Sequence, residues 1–189
     1  MQFKTLLATV LTIGFLTVPA LAGEGRARID LTVKAGELKI TPSDNKNVRI
    51  MHASWVKEED KKKMYVTTDL MVSDEKWTEV TIEVTPTEDG ILTIALRGQY
   101  DKEKRNWSYF DDITAEGATI KNSSFEETGG WNFPKGQQVL DESLAHTGKG
   151  AVLVWHDKAA YQGVAVKADV PVKITSWIKF CKKEDKEPK

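Results

Sequence analysis

Trp77-Thr78-Glu79-Val80-Thr81-Ile82-Glu83-Val84-Thr85-Pro86 alternates apolar and polar residues from Glu79 onward. Val80, Ile82 and Val84 fall on one side. Glu79, Thr81, Glu83 and Thr85 fall on the other. Successive side chains of a strand point to opposite faces, so this stretch predicts a strand with one buried face. Ile91 to Arg97 repeats the pattern with Leu92, Ile94 and Leu96. Glu88-Asp89-Gly90 between them predicts a tight hairpin turn, with the glycine in the positive-φ region that such turns use.

Further short strands are expected over Val48 to Val56, Met64 to Asp69, Trp107 to Thr114, Ala118 to Asn122, Ala151 to Trp155, Val164 to Ala168 and Val172 to Phe180, and an apolar strand with its turn over Leu38 to Asp44. Long helical periodicity is missing from the sequence after its N-terminus. Many short strands joined by polar turns predict an all-β fold, a β-sandwich. Two segments look alike: Val48 to Lys57 reads VRIMHASWVK and Val170 to Lys179 reads VPVKITSWIK. Their shared endings, Ser54-Trp55-Val56-Lys57 and Ser176-Trp177-Ile178-Lys179, suggest a duplicated strand.

The first 22 residues have the layout of a secretory signal. Lys4 is followed by an uncharged apolar run, Leu6 to Val18. Pro19 and Ala20-Leu21-Ala22 then form a small-residue cleavage site before Gly23. The apolar run is shorter than the about 20 residues a bilayer requires, so no membrane span is expected. The implied location is secreted or periplasmic. Without Lys4 the 27 Lys and Arg fall to 26, against 28 Asp and Glu. That even balance gives no basic stripe for nucleic acid. The one cysteine, Cys181, cannot form an intrachain disulfide. Lys57 to Lys63 reads as a charged loop, and residues 182–189 as a charged, disordered tail.

Asn122-Ser123-Ser124-Phe125-Glu126 with Gly130-Trp131 resembles the opening of carbohydrate-binding modules of the galactose-binding-like jelly-roll type, often attached to xylanases and cellulases. Thr147-Gly148-Lys149-Gly150-Ala151 resembles their Ser-Gly-Lys segment. Gln162-Gly163-Val164 leading into Ser176-Trp177-Ile178-Lys179 resembles their middle strands. Counterparts of their second half lie earlier in this chain, at Ser54-Trp55-Val56-Lys57, Trp77-Thr78-Glu79-Val80 and Phe110-Asp111-Asp112-Ile113. The order is swapped. Two arrangements fit: the end of one module followed by the start of another, or one circularly permuted jelly roll over residues 23–181 with a duplicated strand. The second is preferred here, because permutation is tolerated where termini lie close together. The region before Val48 has no clear counterpart.

The resemblance implies a non-catalytic module that binds a polysaccharide or other extracellular glycan. Sugar rings stack their C–H faces on flat side chains while polar neighbours hold the hydroxyls. Trp55, Trp77, Trp131 and Trp177 occupy positions that pack the core in that family. The candidate sugar contacts are therefore Trp107 and Tyr109, which share a strand face by parity, with Trp155, Tyr161, Arg97 and Gln162. The resemblance also implies a structural calcium. Glu126 and one of Asp111 or Asp112 would supply carboxylates, and Ser124 and Lys149 carbonyls, against the alternative that these acids are solvated strand ends. No enzyme is expected. His52, His146 and His156 lack zinc-ligand spacing, and no phosphate loop or nucleophile elbow is present. The competing function is a structural or protein-contact sandwich without a sugar site, which a fully buried set of tryptophans would favour.

Overall fold

The computed structural model describes residues 24–52 and 64–182. The expected signal peptide, Ser54-Trp55-Val56-Lys57, the Lys57 to Lys63 loop and residues 183–189 lie outside the described residues. The strands are β1 (Glu24–Val33), β2 (Leu38–Thr41), β3 (Val48–His52), β4 (Met64–Ser73), β5 (Thr78–Pro86), β6 (Gly90–Gly98), β7 (Trp107–Glu116), β8 (Gln138–Leu140), β9 (Gly150–Val154), β10 (Ala160–Val166) and β11 (Val172–Cys181). They form two sheets, ordered β10-β6-β1-β4-β3 and β2-β5-β11-β7-β9-β8. Every strand pair is antiparallel. The chain is an all-β sandwich.

Its core follows from the alternation. Val80, Ile82 and Val84 of β5, Leu92, Ile94 and Leu96 of β6, and Ile174 and Ile178 of β11 are buried in one cluster with Ile29, Leu31, Phe110 and Val152. Strands from early and late in the chain are interleaved: β10 pairs with β6, and β11 lies between β5 and β7. Both parts of the sequence therefore build the same two sheets and share one core.

The turn at Glu88-Asp89-Gly90 is not a hairpin. β5 belongs to the six-stranded sheet and β6 to the five-stranded one, so the chain arches from one layer to the other. Gly90 is not in the positive-φ region. The arch is fixed instead by Asp89, whose carboxylate accepts from Lys167 Nζ at 2.7 Å and from the Ala168 N–H at 2.8 Å. Those bonds hold the Asp89 carboxyl below its ordinary value.

One further expectation changes, and two strands appear that the sequence reading did not assign. Ala118 to Asn122 is no strand; its backbone at Lys121 bonds both ways to the Gln162 side chain, at 2.8 and 2.9 Å. β1 sits at the middle of its sheet although its polar positions are charged. Arg28 pairs with Asp30, Arg97 pairs with Asp30, and Arg26 pairs with Asp69, so the charges of this central strand are met on the sheet's outer face. The three-residue β8 forms the far edge of the six-stranded sheet.

Candidate functional site

The outer face of the six-stranded sheet carries the aromatic residues. Phe110 points into the sandwich core, so alternation sends Trp107, Tyr109 and Asp111 of β7 to the outside. The register places Tyr109 between Leu153 of β9 and Lys179 of β11, Trp107 opposite Cys181, and Asp111 opposite Trp177. Trp155 lies beside Trp107, with ring centroids 6.0 Å apart. Trp107, Tyr109, Ala151, Leu153 and Cys181 form a second buried cluster, with Trp77, Val139, Leu144 and Trp155 packed around it.

A strap covers this cluster. Residues 141–149 connect β8 to β9, and their base is closed by the Asp141 N–H on the Lys149 carbonyl at 2.7 Å. Leu144 packs on the cluster. The His146 ring stacks on Trp177, with centroids 4.1 Å apart and planes 13° apart, and meets the edge of Trp77 at 5.6 Å. Within this cluster Trp107 is 1% exposed and Tyr109 6%. This corrects the expectation of an exposed Trp107–Tyr109 row, because Trp77, Val139, Leu144 and Trp155, from four other segments, pack around it. Burial also pushes the Tyr109 phenol far above its ordinary pKa.

Two adjacent carboxylates hold the strap down. Between the pairs Thr114–Thr175 and Asp111–Trp177, two residues of β7 stand opposite Ser176 alone. This bulge puts Asp112 at φ 45° and lets neighbouring residues reach the same loop. Asp111 Oδ2 accepts from the His146 N–H at 2.8 Å and the Thr147 N–H at 3.2 Å, and Oδ1 from the Asp112 N–H at 2.7 Å. Asp112 Oδ2 lies 2.7 Å from His146 Nδ1, and both Asp112 oxygens accept from Thr147 Oγ1 at 2.9 Å. Burial outweighs the three N–H donors and pushes the Asp111 carboxyl up to about 6. The Thr147 hydroxyl serves Asp112 rather than the imidazole, so the group is a latch and not an activated nucleophile.

The residues expected to hold calcium lie near here, and several of their oxygens already accept N–H bonds within the chain. Glu126 Oε1 accepts from the Lys149 and Gly150 N–H groups at 2.6 and 2.9 Å, which holds its carboxyl below the ordinary value. The Lys149 carbonyl is spent on Asp141. Gly148, at φ +59°, is needed because an added Cβ would lie 2.1 Å from Glu126 Oε1. The Ser124 carbonyl packs against Gly150. No group of three or more His, Cys, Asp or Glu side chains gathers as a metal centre among the described residues.

The remaining candidates separate. Arg97 and Tyr161 lie together on the five-stranded sheet: the guanidinium sits 5.2 Å from the Tyr161 ring centroid, donates to the Tyr161 hydroxyl and to the His156 carbonyl, and pairs with Asp30. Gln162 points inward and is occupied by Lys121, so it is corrected from a sugar partner to a backbone clamp. Trp155 stays half-buried, with the Arg105 guanidinium 4.7 Å from its ring centroid.

Sequence reading missed Gln137, Leu144 and His146. Gln137 is 1% exposed, and its carbonyl accepts from the Leu153 N–H at 2.8 Å, which extends the β8–β9 ladder onto the aromatic face. Trp107 Nε1, Trp155 Nε1 and Gln137 Oε1 are buried without a hydrogen-bond partner among the described residues. Only His146 had a local signal, its place just before Thr147-Gly148-Lys149. No helix among the described residues is long and apolar enough to cross a membrane. Compared with known proteins, the chain matches no family model, no curated protein and no solved structure, so the likeness to carbohydrate-binding modules rests on its short motifs.

Proposed function

We propose that the chain is an exported, non-catalytic glycan-binding sandwich whose sugar site is the outer face of the six-stranded sheet, around Trp107, Trp155 and Gln137. The observation that carries this reading is the set of unpartnered polar atoms on an aromatic face. Two indole N–H groups and one amide oxygen lie there without partners. Each such buried group costs about 1–3 kcal/mol, so each requires an explanation. A sugar supplies what they lack. Its hydroxyls accept from the indoles and donate to Gln137 Oε1, while its C–H face stacks on the rings. Arg97 and Tyr161, on the opposite outer face, are not part of this site.

The second reading, a structural or protein-contact sandwich, draws support from the burial of Trp107 and Tyr109. One titration separates the two. Soluble xylan and hydroxyethylcellulose are added separately to the exported protein while tryptophan fluorescence is recorded. The glycan reading expects a saturable change that Trp155→Ala abolishes while circular dichroism shows the variant still folded. No change with either polysaccharide, or a change that survives Trp155→Ala, favours the structural reading.

A further inference from the structure

We infer that the 141–149 strap is a cover that must lift for the outer face to bind, and that the Asp111–Asp112 pair is its latch. This rests on the proposed sugar site and adds its regulation. Three observations lead to it. First, the strap occupies part of the aromatic face, with Leu144 packed on the cluster that holds Trp107 and Tyr109 and His146 stacked on Trp177, while the unpartnered Trp107 Nε1 and Gln137 Oε1 belong to residues that are each 1% exposed. Second, beyond the His146 ring on Trp177 and Trp77, the strap has little apolar anchorage of its own. Leu144 is its one large aliphatic side chain on the cluster, and Asp141, Glu142, Ser143, Thr147, Gly148 and Lys149 are exposed. Third, its polar attachment away from its base, where Glu126 holds the Lys149 N–H, is concentrated. His146 and Thr147 make every hydrogen bond from the strap to Asp111 and Asp112 that holds it on β7.

A segment with few buried contacts and a concentrated attachment opens locally while the rest of the fold stays intact. The sheet below needs no rearrangement for this. The Asp112 bulge and its ladder to β11 belong to β7, not to the strap. The cover is hinged at one place, the Asp141–Lys149 bond where it leaves the β8–β9 pair. A protein whose binding-competent form is a minor state binds more weakly by that fraction, so loosening the latch tightens binding.

Hydrogen exchange on the unliganded full-length mature protein tests the opening directly. The amides of His146 and Thr147 should exchange at least about 100-fold faster than those of Ile174 and Val80 in the core strands. Thr147→Val removes the hydroxyl bonds to Asp112 without touching the aromatic face. It should raise His146 exchange by about tenfold, leave core exchange unchanged and tighten soluble xylan binding by a similar factor. If His146 and Thr147 exchange only at the rate of the core, the strap is a fixed part of the sandwich and the inference fails. It fails too if Thr147→Val leaves His146 exchange unchanged, or weakens xylan binding while His146 exchange rises. A wild-type protein that binds neither xylan nor hydroxyethylcellulose but shows fast strap exchange refutes the sugar site and leaves the moving cover standing. Leu144→Ala, which loosens the strap from its other side, should move exchange in the same direction and guards against a folding defect peculiar to Thr147→Val.

Discussion

Trp107→Ala should cost the sandwich about 3–4 kcal/mol. Trp107 is 1% exposed and packs among Tyr109, Leu153, Cys181 and the Trp155 ring. A tryptophan of this kind buries about 200 Å², which at about 25 cal/mol per Å² is roughly 5 kcal/mol at the upper limit. Deleting it also removes an indole N–H that has no partner, which returns about 1–2 kcal/mol. The remainder falls within the range measured for buried aromatic truncations. For a chain of this length it lowers the melting temperature by about 6–16 °C. Trp107→Phe keeps most of the ring and drops the orphaned donor, so its loss should stay below about 1.5 kcal/mol. Chemical denaturation read by circular dichroism measures both. A Trp107→Ala loss under about 1 kcal/mol would show that the ring is solvated and would refute its burial in the cluster.

Gly117→Ala should destabilise by about 2 kcal/mol or more, because φ is +80° and an added Cβ would lie 2.1 Å from the Pro171 carbonyl oxygen; an unchanged thermal melt would refute that geometry. Gln162→Leu strips the Lys121 N–H and carbonyl of their partners and should cost about 1–2 kcal/mol, partly offset by water; a neutral urea midpoint would contradict the clamp. The Asp111 carboxyl is raised from 3.8 to about 6 in the folded state. Its contribution therefore favours the fold below about pH 4 and is lost as pH rises through about 6. Relative to Asp111→Asn, the wild type should lose roughly 2–3 kcal/mol between pH 4 and 7. A flat difference across that window, or one of opposite slope, would refute the burial. N-terminal sequencing of exported protein should begin at Gly23, and a mature form starting at Met1 would contradict the signal peptide.

The sandwich was legible because its strands announce themselves by period. Val80, Ile82 and Val84, then Leu92, Ile94 and Leu96, mark inner faces that alternation alone assigns. Which sheet a strand joins is not written in the same pattern. Glu88-Asp89-Gly90 marks a reversal of direction, and an arch between layers uses the same polar residues as a hairpin within one. β1 went unread because Arg26, Arg28 and Asp30 look like a surface segment until Asp69 and Arg97 arrive from β4 and β6 to pair with them.

The site was half legible for a related reason. Parity put Trp107 and Tyr109 on one face, but their exposure depends on Trp77, Val139, Leu144 and Trp155, which other strands and loops bring to them. The short motifs brought Asp111, Asp112, Glu126 and Lys149 into one neighbourhood. The direction of each donor follows from the β7 bulge and from Gly148, and no residue spacing encodes that. Gln162 shows the same limit: its place on β10 could be read, but its inward turn onto Lys121 could not.

Resonances of the indole N–H groups, followed by NMR while soluble xylan fragments are added, test the proposed site most directly. The account predicts that the Trp107 and Trp155 indole signals shift and saturate together, along with the Gln137 side-chain amide. The Trp131 indole, which already donates to the Asn122 carbonyl at 3.2 Å, should not move. Unmoved Trp107 and Trp155 signals, or shifts confined to Arg97 and Tyr161 on the other sheet, would contradict it.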